Sequence, residues 1–472
     1  MAFSSIPFLC AFFPVVLAVY YLIPSMKVKN FFLIAASLLF YAYGEEYYVL
    51  LMIACALFNY IFARLIARFE RAGKFFLLLA VVGNLGVLGT YKYTGMVLTT
   101  INHLTKLNLD IPKIRLPIGI SFFTFQALSY VIDVYRRKVK ADRNFLNILL
   151  YLSFFPQLIA GPIIQYHSIA EQLKQRKADG EKICRGMRRF IVGLSKKVLL
   201  SDTMAVTADY VFSLGAGELG MAAAWVGAAA YMLQIYFDFS GYSDMAIGMG
   251  KMFGFDFPEN FRFPYAAASM QDFWRRWHIS LTGWFREYLY IPLGGNRKGK
   301  VRTGFHRLIV FFFTGLWHGA DWTFVLWGLF HGAFLTLETL IPRKKHKFRV
   351  LNRIYVLLVV CVGFVLFRAD TIGQAWTFLS VMFTGGGWNP LIAASTMRIF
   401  DRLFLSMFAL AIVCSLPVGH WLEAWCGKHK EKGKRIRGVI EGACYAVSIF
   451  LLFACVMSLA GGTFHPFIYF RF

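Results

Sequence analysis

The sequence predicts an all-α, polytopic membrane protein with roughly 10–12 spanning or re-entrant helices plus short interfacial helices. Three observations lead there. Of 472 residues, 58% are apolar and only 16% are charged, where a soluble domain carries roughly 25% charged residues. The mean hydropathy is +0.56. The apolar residues also fall in long unbroken runs, unlike the short alternating segments of a membrane β-barrel. A spanning helix uses roughly 20 apolar residues, so an apolar stock of about 270 limits the chain to about 13 spans. A soluble enzyme, a disordered chain and a single-anchor protein are excluded.

In chain order, the candidate spans are 6–23, 30–43, 47–66, 75–91, 115–135, 145–165, 186–214, 221–250, 305–340, 354–367, 403–422 and 437–461. The first lacks a basic leading region and a small-residue cleavage site, so it reads as a retained span. Lys27 and Lys29, then Arg64, Arg68, Arg71 and Lys74, then Arg136, Arg137, Lys138 and Lys140 mark cytoplasmic loops. Glu45 and Glu46 fall on the other side, which puts the N-terminus outside. Alternation fails at 145–165, because the stretch after it is also basic (Lys174, Arg176, Lys177, Lys182, Arg185). Pro156, Gly161 and Pro162 break any helix there. A re-entrant or broken element resolves the conflict, and such backbone survives at membrane depth only inside protein or beside a water-filled cavity.

The stretch 253–307 is too polar to span and too aromatic for a free loop. It reads as short amphipathic helices at the cytoplasmic interface. Basic loops at 343–353 and 428–437 belong inside, which places 461–472 outside. No repeat, linker or low-complexity tract divides the chain, so residues 1–472 read as one domain in the plasma (inner) membrane. Its motif core lies at 115–340 and its extracytoplasmic tail at 467–472.

The charge balance, 50 Lys+Arg against 25 Asp+Glu, gives a net +25. This excess sits in short loops, where it sets topology and contacts anionic membrane lipids. Nucleic acid is not an expected partner. The eight cysteines are scattered and form no C-x-x-C pair, so neither a disulfide framework nor a metal site is implied.

The chemistry-bearing block runs from Gln234 to His331. It opens Gln-Ile-Tyr-Phe-Asp-Phe-Ser-Gly-Tyr-Ser-Asp-Met at 234–245, with Asp238 and Asp244 inside an apolar span. It continues Phe-Trp-Arg-Arg-Trp-His-Ile-Ser-Leu at 273–281, then Trp-Phe-Arg-Glu-Tyr-Leu-Tyr-Ile-Pro-Leu-Gly-Gly-Asn-Arg at 284–297. It closes with Gly-Leu-Trp-His-Gly-Ala-Asp-Trp-Thr at 315–323. An ionisable group within a span usually faces a cavity or a partner. His318 follows a strongly apolar approach, and a neutral imidazole in such a place can act as general base. A hydrogen-bonded structural histidine fits the same residues.

His278 is a second candidate, but its residues alone favour an interfacial histidine in an Arg/Trp-rich helix that anchors at headgroups. His331, thirteen residues beyond His318, is too far along one helix to share its site without a break, and reads as structural. Asp321 either orients the imidazole or caps a broken helix. Arg275, Arg276 and Arg286 suit the phosphates of a nucleotide-like donor as well as those of lipid headgroups. Gly315 and Gly319 admit the close approach of a backbone or an acyl chain. No G-x-S-x-G elbow, Walker loop, H-E-x-x-H or dinucleotide fingerprint is present.

These motifs resemble the membrane-bound O-acyltransferase family, in its bacterial alginate O-acetylase-like branch. The resemblance extends through Leu-Pro-Ile-Gly-Ile-Ser-Phe-Phe-Thr-Phe-Gln at 116–126, Ser-Phe-Phe-Pro-Gln-Leu-Ile-Ala-Gly-Pro at 153–162 and Gly-Leu-Ser-Lys-Lys at 193–197. It implies an intramembrane cavity in which His318, in the Trp-His-Gly motif, catalyses acyl transfer to a hydroxyl, with His278 as the family's second histidine. It implies acetyl-CoA, or another acyl thioester, as a donor substrate and no permanently bound cofactor. The expected acceptor is an extracytoplasmic polysaccharide, served by an extracytoplasmic acyltransferase partner. By composition the ending Phe-Ile-Tyr-Phe-Arg-Phe at 467–472 reads as a membrane-interface belt, but its F-x-Y-x-x-F spacing is similar to the tails of extracytoplasmic acylation systems, which implies that Tyr469 carries the acyl group. Arg471 stands where that branch often has Gln. Two other activities compete: D-alanyl transfer to teichoic acid from a carrier protein, and transport or lipid flipping, which the buried Asp238 and Asp244 would suit.

Overall fold

A computed structural model describes residues 2–159, 161–215, 217–297, 299–341, 349–385, 390–399, 401–418, 430–462 and 466–468. Helices and their connections make up the whole of it, and no strand occurs among the described residues. Among the described residues, five helices are long and apolar enough to cross a membrane: Tyr48–Arg68, Glu70–Lys92, Trp322–Leu340, Arg349–Arg368 and Gly442–Ala460. Shorter apolar helices occupy Phe8–Leu22, Ile120–Tyr135 and Arg402–Cys414. The chain divides into two compact units, one from 2–190 with 242–259 and one from 191–241 with 260–468.

The first unit is built around Ile120–Tyr135, which is buried on every side over nearly its whole length. Tyr48–Arg68 and Gly73–Lys92 pack on it. Asn59 and Asn84 join these two neighbours through reciprocal amide hydrogen bonds of 3.0 and 2.8 Å, the polar cross-helix link that hydrocarbon favours. The outward stripe of Gly73–Lys92, with Phe75, Leu78, Val82 and Leu85, is exposed and apolar. That spacing suits a helix with one face in lipid.

The expected break at 145–165 is present. The helix Phe145–Ser153 stops at Phe154, one short turn follows at Phe155–Leu158, and 161–165 is not helical. The buried Gln157 side chain donates to the Tyr151 carbonyl at 2.5 Å, satisfying an acceptor freed by the break. Further along, Arg189 bonds Asp244 at 2.8 Å and also grips Glu259. Asp244 is therefore held by a fixed cation.

In the second unit, the apolar run 305–340 is two helices rather than one. Lys300–His318 and Trp322–Leu340 pack side by side along their length, joined by the turn at 319–321. Asp321 causes the restart: its carboxylate accepts from the Thr323 amide at 3.0 Å, an N-cap. This settles its role in favour of capping. A side chain on Gly315 would meet the Phe324 carbonyl, and one on Gly328 the Phe311 carbonyl. These glycines let the two backbones touch. Gly319 lies against the Phe324 ring, so helix approach, not an acyl chain, accounts for the small residues. The stretch from 260 onward forms short helices at Pro264–Ala266, Met270–Trp274, Ile279–Phe285 and Arg286–Tyr290.

Candidate active site

The two sequence-selected histidines come together in the second unit. His318 is the last residue of Lys300–His318, at the turn of the hairpin. Trp327 reaches it from the returning helix with ring centroids 5.0 Å apart, and Phe367 lies 5.3 Å away on Arg349–Arg368. Trp317 is 5.0 Å away and the His278 ring 6.4 Å. The His318 ring is enclosed by this wall, with 3% of the residue exposed.

His278 is fully buried and sits between two short helices in the left-handed region, at φ 42°. That conformation costs a non-glycine residue free energy, and a network around Asn260 holds it. The Asn260 side-chain oxygen accepts from the Ser280 amide at 3.2 Å and the Ser280 hydroxyl at 2.9 Å. The Asn260 carbonyl accepts from the Ile279 amide at 3.0 Å. The same Asn260 side-chain oxygen lies 3.1 Å from His278 Nδ1. An amide oxygen only accepts, so Nδ1 carries the proton and Nε2 is left as a bare lone pair. Nε2 is buried and has no hydrogen-bond partner among the described residues. Phe239 stands edge-on to the ring at 4.6 Å.

Burial pushes the His278 imidazole down from its ordinary value near 6.5 to about 3. The folded protein thus keeps this ring neutral while the unfolded chain protonates it near pH 6.5. Between those values the unfolded state binds more protons, so the stability from this group is complete above about pH 6.5 and declines as the pH falls towards 3. Denaturation of purified protein from about pH 7.5 to about 4.5 should show that decline, and His278→Gln should flatten it. Equal slopes for the two proteins would contradict this account of the ring.

The other sequence-selected residues have different surroundings. His331, which one unbroken helix would have kept apart, lies across Trp327 from His318, its ring 5.0 Å from Trp327 and 5.3 Å from Trp274. Arg276 is engaged by Asp272 at 2.9 Å one helical turn back, whereas Arg275 and Arg286 are exposed. Tyr469 lies outside the described residues, but Phe467 and Ile468 just before it are buried in this unit. No group of three or more His, Cys, Asp or Glu that could hold a metal occurs among the described residues. Asp238, read as a buried carboxylate in a span, is ion-paired with Lys197 at 2.9 Å, and Lys197 also reaches Asp202 at 2.7 Å.

Sequence reading missed Asn260, eighteen positions before the histidine it orients, and gave Lys197 no role. Lys197 did carry a signal, since a lysine in one apolar run and an aspartate in another suit each other as buried partners.

The family model for the membrane-bound O-acyltransferase family matches residues 120–369. The chain is 38% identical to the "Probable alginate O-acetylase AlgI" of Azotobacter vinelandii over 504 aligned positions, covering 100% of both chains. It is 35% identical to the peptidoglycan O-acetyltransferase of Helicobacter pylori, over 81% of this chain and 80% of that one. It is 27% identical to the teichoic acid D-alanyltransferase of Bacillus subtilis, over 53% of this chain and 68% of that one. A family match across more than half the chain, on helices fit to cross a bilayer, makes this multi-pass membrane protein a member of the membrane-bound O-acyltransferase family and an O-acyltransferase.

Proposed function

We propose that the protein moves an acetyl group from cytoplasmic acetyl-CoA towards an extracytoplasmic polysaccharide, with His318 as the general base. The observation that carries this reading is the pairing of His318 and His278 within one aromatic enclosure. The acceptor hydroxyl oxygen attacks the thioester carbonyl carbon. The new C–O bond forms, the C–S bond breaks, and His318 takes the hydroxyl proton and returns it to the departing thiolate. His278, with its proton fixed on Nδ1, offers Nε2 as the hydrogen-bond acceptor that orients the attacking hydroxyl. Arg275 and Arg286 bind the donor's phosphates at the cytoplasmic mouth. Because the His318 ring is enclosed, Trp317, Trp327 and Phe367 must part to admit the thioester.

The first acceptor in this reading is the Tyr469 hydroxyl, from which an extracytoplasmic partner enzyme passes the acetyl group to the glycan. Tyr469→Phe keeps the ring and removes only the oxygen. It should abolish polysaccharide acetylation with expression unchanged, measured as O-acetyl released by mild base. Retained acetylation would mean that transfer bypasses Tyr469.

An acetyl donor is favoured over a D-alanyl carrier protein by the extent of the likeness, 100% of the chain for the alginate O-acetylase against 53% for the D-alanyltransferase. Transport loses its main support, because Asp238 and Asp244 each have a fixed cation.

A further inference from the structure

We propose that the buried Lys197–Asp202–Asp238 cluster is a seat for the backbone of segment 466–468, and that it positions the tail beside the histidine pair. This rests on the reading of Tyr469 as acyl carrier.

The cluster is made where two helices cross closely. A side chain on Gly241 would lie 2.6 Å from the Gly193 carbonyl and 3.1 Å from the Lys197 amide. The absence of one lets Lys197, in the wide π-helical turn Lys196–Ser201, approach Asp238 on Met221–Met252. Such turns inside helices recur at functional sites. The three hydrogens of one ammonium cannot satisfy the four oxygens of two buried carboxylates, so further donors must reach them. One Asp238 oxygen meets Lys197, and the other accepts from the Ile468 amide at 2.7 Å. The tail thereby supplies the donor that completes the cluster.

The next residue on the helix extends the connection. Phe239 lies 6.1 Å from the Phe467 ring and 4.6 Å from the His278 ring, between centroids. Adjacent side chains of one helix thus hold the backbone at Ile468 and separate the Phe467 ring from His278 by a single ring. Tyr469 follows Ile468 by one peptide bond. Asp238 is a positioning residue in this proposal, acting through the tail and not on the reacting atoms.

The test follows one peptide, that containing 466–472, in the full-length protein. Its deuterium uptake reports the seat and its acetyl mass reports the relay. Asp238→Ala leaves Lys197 paired with Asp202, and it should speed exchange at the Ile468 amide by about 100-fold or more, with exchange elsewhere unchanged. It should also lower acetyl on the peptide about tenfold or more. Ile468→Pro removes the donor from the tail side, keeps all three cluster side chains and should cause the same loss of acetyl. Asp202→Asn, which does not touch the tail, should keep the Ile468 amide protected. Unchanged exchange in Asp238→Ala overturns the seat. Faster exchange with undiminished acetyl on the peptide overturns its positioning role. A wild-type peptide that never carries acetyl, yet has a protected Ile468 amide, contradicts the relay and leaves the seat standing.

Discussion

His318→Ala is expected to give a folded, inserted protein whose transfer to polysaccharide has fallen by about 10²–10⁴-fold, the range supplied by a positioned general base. The hydroxyl that attacks a thioester must lose its proton as the C–O bond forms, and apolar ring faces hold water poorly, so a side chain has to take it. Of the two imidazoles, His318 stands at the hairpin turn with Trp317, Trp327 and Phe367 about it. His278 is locked by Asn260 into one tautomer. Alanine leaves a gap among those rings, and gaps in packed cores destabilise. His318→Gln, which keeps most of the volume but supplies no base, should be equally inactive with less loss of stability. O-acetyl content of the polysaccharide, at matched membrane protein levels, is the measurement. Near wild-type acetylation in both variants would falsify the assignment.

The second large effect is on stability. Lys197→Met should destabilise the protein by about 3–5 kcal/mol, the cost typical of removing one partner from a buried ion pair. The ammonium is within 2.9 Å of Asp238 and 2.7 Å of Asp202, and a thioether leaves both carboxylates buried without a counter-charge. Neutralising them together, as Lys197→Met with Asp202→Asn and Asp238→Asn, should recover most of the loss, since the charged partners then vanish as a set. Apparent melting temperature in detergent, followed by tryptophan fluorescence, reads this directly. A Lys197→Met protein that melts with the wild type would show that the cluster is hydrated or already neutral.

The fold was legible where one physical rule governs a long stretch. Apolar runs such as 47–66 and 354–367 must be helices in lipid, because their backbone groups have no other partners. They correspond to Tyr48–Arg68 and Arg349–Arg368. The break at 145–165 was legible through Pro156 and Gly161, together with the failed alternation of charge. The break at 319–321 was not, since the apolar run continues across it and the local signal is a single capping aspartate, Asp321.

The site divides in the same way. His318 and His278 stand out as ionisable groups in unusual surroundings, yet their proximity depends on packing between segments forty positions apart in the chain. Asn260 offered no local pattern, because its bonds to His278 and Ser280 close a loop that spacing does not encode. Arg276 pairs with Asp272, four residues earlier, a contact its motif did not point to. Asp238 and Asp244 would suit a transport path, but the structure pairs them with Lys197 and Arg189.

The central claim is that the imidazole at position 318 drives acyl transfer from a thioester onto a hydroxyl. Its most direct test is a single turnover: purified protein mixed with radiolabelled acetyl-CoA, quenched in acid and counted for label on the polypeptide. Label is expected on the wild type, localised to the peptide containing Tyr469, and none on His318→Ala or His318→Gln. Equal labelling of wild type and both variants would contradict it.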